Sequence, residues 1–260
     1  MRRVNIFWGL ALILLGGLFF LQARGIIENV FDFIFPLALI LLGGWVIFSV
    51  FAKPDLSDDD TFSFPLQSAK SVRYEFSHGA GQFQIGGGAP AGTAIVGSSA
   101  VGMNTESRMD GDRLNVEVSA GPSVIPFIGP SSGVWRFQLT QEVPVILEID
   151  AGASALEIDL ENVLATRVEL STGASSVHLT APARGVSLLD VEAGAASVNI
   201  RVPSGIAARV RFEGGMNSMN VDTNRFPKVD AGFYQSPDFD SSVNRAEINI
   251  EGGLGSVTVK

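Results

Sequence analysis

The chain has no cysteine. Disulfides, thiolate metal sites and cysteine nucleophiles are therefore excluded, which suits a cytoplasmic domain without demanding one. Histidine occurs twice, at His78 and His178, and no serine or threonine sits in a nucleophile-elbow context. Lysine and arginine total 18 against 27 aspartates and glutamates, for a net charge of −9. Nothing basic is available to neutralise phosphates, so nucleic acid is excluded as a partner.

Apolar residues make up 46% of the 260 positions, and they are spread unevenly. Val4–Leu21 and Phe33–Ala52 are uncharged runs, and the octamer LALILLGG occurs in both, at Leu10–Gly17 and Leu37–Gly44. As helices they would be roughly 27 and 30 Å long, near the thickness of a bilayer's hydrocarbon core. Two such runs, separated only by Gln22–Asp32, predict a membrane hairpin rather than two buried core helices. A signal peptide at the first run is a competing reading, because Arg2 and Arg3 precede it. The segment after it is a poor cleavage site, and the second run would anchor the chain in either case. Arg2, Arg3 and Lys53 lie on one side of the hairpin and Arg24 in its loop, which predicts cytoplasmic termini. The expected location is the plasma membrane, two-pass, with the lipid bilayer as one partner and the C-terminal domain in the cytoplasm.

Residues 54–70 read as an acidic, proline-containing linker. The remainder, 71–260, is rich in Gly, Val, Ser and Ala and repeats itself. Six segments align on Gly79, Gly152, Gly173, Gly194, Gly215 and Gly253, with apolar residues five and three before the glycine and four and six after it. Alternation at period two predicts strands with one buried face. A glycine between them suggests a turn or kink whose backbone angles a β-carbon would penalise. Gly152, Gly173, Gly194 and Gly215 are evenly spaced along the chain, which predicts consecutive stacked rungs. Ile149, Leu170, Val191 and Phe212 would form one apolar column, and Ile158, Leu179, Ile200 and Val221 another. Pro182–Gly185 and Pro203–Gly205 fall at equivalent turns. Ser176, Ser197 and Ser218 read as architectural like the glycines. The fold class is thus membrane-anchored all-β: two N-terminal transmembrane helices (1–53), then a glycine-punctuated, stacked β-solenoid.

Between the first two units, Met109-Asp110-Gly111-Asp112 is a hairpin signal. Val124–Gly133 reads as a loop with an apolar tip at Ile125, Phe127 and Ile128. Both histidines fall in polar slots of the repeat and are expected at the surface. Gly79–Gly88 superficially resembles a phosphate-binding loop, but a strand follows where a helix is needed. Glu148, Asp150, Glu169, Asp190, Glu192, Glu213 and Glu251 face away from the apolar ladder, as a solvated face or a cation-binding column. No cluster departs from the repeat as a grafted catalytic site would.

FWGLALILLGGLFFL and IFPLALILLGGWVIF, with Trp8-Gly9 and Phe35-Pro36, resemble the hydrophobic hairpin of LiaI/LiaF-like membrane proteins. LEIDAGASALEIDLENV, VELSTGASSVHL and VNRAEINIEGGLGSVTV resemble the toast-rack β-domain of LiaF-like cell-envelope stress proteins. Those proteins commonly carry four membrane spans, and this chain has two. The resemblance implies no catalytic residues and no cofactor. The expected function is a non-enzymatic binding or regulatory scaffold in envelope-stress signalling, partnered by a membrane signalling protein or by another copy. The sequence ends inside its last repeat, at Val257–Lys260, which would leave an open edge. An alternative is therefore a structural protein that polymerises through its solenoid ends, and a third reading is a carbohydrate- or lipid-active β-helix enzyme.

Overall fold

The computed structural model describes Arg24 and residues 60–99, 103–120, 134–215 and 217–260. The expected membrane hairpin and the Val124–Gly133 loop lie outside these residues. By contacts the chain divides into Met1–Ser57 and Asp58–Lys260. Every regular element among the described residues is a strand of the second unit.

Long strands form the rungs: β2 (Ser71–Gly87), β7 (Val145–Asp159), β10 (Val186–Arg201) and β15 (Arg245–Val259). Two further rungs are split in the middle, β8 (Ala165–Thr172) with β9 (Ser176–Thr180), and β11 (Ala207–Gly214) with β12 (Asn217–Val221). All pair in parallel and in register. All fifteen strands among the described residues belong to one continuous sheet that folds at the bends, so the half of each rung before the bend builds one layer, the first sheet, and the half after it a second. Alternate side chains of both halves point into one core, whose exposed counterparts face solvent.

The rung order departs from the expected one. Val191 is paired with Ile250, and Ile250 with Phe212. Likewise Ile200 is paired with Val259, and Val259 with Val221. The C-terminal strand β15 is thus inserted between β10 and β11/β12, and the Val257–Lys260 edge is covered on both sides. The connections after β9 and β10 are short, 181–185 and 202–206, whereas the connection from β12 to β15 runs over 222–244. That length lets the chain travel outward, form the ribbon β13 (Lys228–Asp230) and β14 (Phe233–Gln235) against β11, and return.

A seventh rung lies at the other end. β5 (Arg113–Ala120) and β6 (Val134–Leu139) pair in parallel with the two halves of β2. β5 also forms the expected hairpin with β4 (Met103–Asp110), through the two-residue turn Gly111–Asp112 with Gly111 at φ +58°. Outside β6 run β3 (Thr93–Ser99) and β1 (Asp60–Pro65), both antiparallel. Part of the segment read as linker is therefore strand, and Leu66 and Ala69 are buried core. The core here is aromatic: Phe76 meets Phe83 edge-on at 5.3 Å, and buried Tyr74 donates its hydroxyl to Ala94 O at 2.5 Å.

The repeat glycines are needed for a reason other than backbone angle. None of the six has a left-handed φ. Each stacks on its neighbour, in the order Gly79, Gly152, Gly173, Gly194, Gly253, Gly215. A β-carbon at Gly152 would lie 2.4 Å from Gly79 O, and one at Gly253 would lie 2.7 Å from Gly194 O. Closeness of the rungs at the bend, not a turn conformation, excludes a side chain at Gly152 and Gly253 and crowds one at Gly173, Gly194 and Gly215.

Candidate functional site

In-register stacking turns each outward position into a column of like residues about 4.8 Å apart. On the first sheet one column runs Glu75, Glu148, Glu169, Asp190 across β2, β7, β8 and β10. Stacked carboxylates repel unless they are compensated. The next column supplies the compensation. Arg73 reaches Glu148 at 2.6 Å, while Arg167 contacts Glu169 and lies 3.6 Å from Asp190. Asn249 on the inserted β15 donates to Asp190 at 2.8 Å. The hydrogen bond to Glu148 also raises the Arg73 pKa, so that guanidinium stays charged.

Two residues along the strands the balance changes. Glu192 pairs in register with Glu251, and Glu251 with Glu213. All three are exposed, and none is in an ion pair among the described residues. Only the insertion of β15 makes the three adjacent. Glu192 and Glu251 line the end of a groove of about 480 Å³ that runs over Glu75, Glu148, Arg167 and Asp190, and with Glu213 they line the depression that adjoins it. Gly194, Gly214 and Gly253 floor the adjoining depression. Among the described residues no group of three or more His, Asp or Glu side chains is placed to hold a metal ion.

The outer face of the second sheet has different chemistry. Gln84, Glu157, His178, Asn199, Thr258 and Asn220 form one column, and Ser176, Ser197, Ser256 and Ser218 another. His178 is exposed there, as expected.

His78 is not at the surface. It is 8% exposed and packs 4.5 Å from Trp135 and 5.7 Å from Phe83. Neither ring nitrogen has a hydrogen-bond partner among the described residues. The parity of the strand carried the signal, because Tyr74, Phe76 and His78 share the inward face. Burial pushes the His78 pKa below its ordinary value; the Ala80 backbone offsets this in part without reaching hydrogen-bonding geometry. The folded state then binds this proton less well than the unfolded chain does. Stability attributable to His78 is therefore level above about pH 6.5 and declines as pH falls below it, by up to about 1.4 kcal/mol per unit. His78→Phe is expected to remove that part of the acid sensitivity. Melting curves at pH 7.5 and 5.0 test it: an equal loss in both proteins would refute the assignment.

The sequence pattern of a known family, described as the N-terminal domain of toast_rack, DUF2154, matches residues 53–201. The chain belongs to this family. The matched toast-rack region runs from before β1 to the end of β10, so it includes the paired carboxylate column and ends before β11, β12 and β15. A protein of Clostridium sporogenes ATCC 15579, described as a candidate for cell adhesion, has a similar structure with a TM-score of 0.71. It is 16% identical, and the alignment covers 78% of this chain and 98% of that one. At that identity the likeness establishes the fold alone. A candidate adhesin from Bacteroides fragilis NCTC 9343 aligns over 80% of this chain and 99% of that one at 10% identity, but its TM-score of 0.25 carries no argument. No curated protein matches the chain.

Proposed function

We propose that this toast-rack protein is a non-enzymatic binding scaffold, tethered to the plasma membrane by its N-terminal hairpin and acting in envelope-stress regulation. Its partner is a basic segment of a membrane signalling protein, bound along the groove of the first sheet. The observation that carries this reading is the row Glu192, Glu251, Glu213. Three adjacent carboxylates without a counterion cost the fold stability, whereas the neighbouring column is compensated by arginines. A destabilising arrangement kept at the end of a groove is what a cation-seeking recognition surface requires. The Clostridium sporogenes protein, described as a candidate for cell adhesion, would be another binding role on the same fold. The basic residues Arg2, Arg3 and Lys53 favour a cytoplasmic β-domain.

One strain tests both halves of the proposal. Glu192→Gln, Glu213→Gln and Glu251→Gln together are expected to leave the melting temperature equal or higher while abolishing the response of an envelope-stress reporter to a wall-active antibiotic. An unchanged response would refute the groove. In the same cells, Lys260→Cys is the sole cysteine, and an impermeant maleimide should label it only after lysis. Labelling of intact cells would place the domain outside.

A further inference from the structure

Among the described residues, each sheet ends on one strand at either side of the stack. The first sheet ends on β4 and β13, and the second on β1 and β12. Three of these edges carry the features that discourage strand addition. β1 contains Asp60 and Pro65, β4 contains Glu106, Arg108 and Asp110, and β13 is three residues long with Lys228 and Asp230. β12, Asn-Ser-Met-Asn-Val at 217–221, has neither charge nor proline, and its pairing among the described residues is with β15 alone. The β13–β14 ribbon covers β11 over Arg209–Arg211 and leaves β12 bare.

We propose that two copies of the chain join through β12, as an antiparallel pair of β12 strands about a two-fold axis at Met219. The backbone sets this register. Asp222 N–H donates to Val259 O at 2.9 Å, so even-numbered residues here face β15. Strand alternation then turns the N–H and C=O of residues 217, 219 and 221 outward. That set is symmetric about Met219. Met219 opposes its own copy, Asn217 opposes Val221, and each opposed pair exchanges two N–H···O bonds. An uncharged edge meets its copy without repulsion, and half-buried Met219 and Phe212 gain cover at the joint. The edge count also fixes the stoichiometry. One unguarded edge among the described residues of each chain closes a pair, whereas a filament needs two.

The absence of cysteine makes the test clean. In this register Ser218 opposes Asn220 of the other copy as a non-hydrogen-bonded pair, with Cα atoms about 4.5 Å apart, within disulfide reach. The full chain carrying Ser218→Cys and Asn220→Cys, oxidised mildly in membranes, should migrate as a covalent dimer. Adding Met219→Pro should abolish the dimer, because that N–H points away from β15 and its loss leaves the intramolecular ladder intact. Wild-type chain in detergent should sediment as a dimer, and Asn220→Lys should shift it to monomer. A chain that is monomeric at every concentration would overturn the proposal. So would a ladder of higher oligomers, or equal cross-linking from a cysteine pair placed on β4.

Discussion

Truncation after Asn244 is expected to abolish cooperative folding of the β-domain rather than shorten it by one rung. The removed segment is β15, which is paired along its length with β10 on one side and with β11 and β12 on the other. Ile248, Ile250, Val257 and Val259 are each at most 3% exposed. At about 1.5–3 kcal/mol per fully buried side chain they contribute roughly 6–12 kcal/mol. That is comparable with the whole stability of an ordinary domain, about 5–15 kcal/mol. The loss also leaves Val191 and Ile200 facing water on one side, β12 without its partner strand and β11 held by the β14 ribbon alone. Repeat proteins whose units stack in chain order tolerate terminal truncation, because each unit contacts only its neighbours. Far-UV circular dichroism and protease resistance of residues 58–244 against 58–260 distinguish the cases. A truncated domain that melts cooperatively within a few degrees of the parent would refute the inserted position of β15.

The rungs were legible in the sequence but their order was not, and the reason is physical. Val191 accepts Ile250 or Phe212 equally well as the next residue in its column, since both are apolar and both precede the bend glycine by three. Equivalent repeats carry no label for their neighbours. The one cue was length, because the connection over 222–244 is several times longer than those over 181–185 and 202–206. The β5/β6 rung was hidden because thirteen residues, 121–133, separate its two halves in the chain in place of a single repeat glycine, although Val116, Val118, Trp135 and Phe137 keep the inward alternation. β1 was masked by acidic neighbours and Pro65, yet Phe62 and Phe64 alternate. The acidic face was readable as a set of outward residues. Which members are compensated depends on lateral neighbours, so the unpaired row of Glu192, Glu251 and Glu213 appears only once β15 is in place.

The glycine column yields the second large effect, and its geometry assigns different consequences to residues that the repeat treats as the same. Gly152→Ala should destabilise the domain by about 2–3 kcal/mol, in the range of overpacking into a rigid site. Its β-carbon would lie 2.4 Å from Gly79 O, and that atom is backbone held by the β2–β7 ladder, so no side chain can swing away. Gly79→Ala places a β-carbon with nothing within 4 Å and should stay within about 0.5 kcal/mol of the parent. Gly173→Ala, at 3.2 Å from Gly152 O, should fall between them. For a domain of this size 2–3 kcal/mol corresponds to a fall in Tm of roughly 4–12 °C. A requirement for glycine backbone angles predicts another pattern, with Gly79, Gly152 and Gly173 equally sensitive and each rescued by a D-amino acid. Thermal melts of the three alanine variants decide between close approach and conformation, because only close approach ranks them 152, 173, 79.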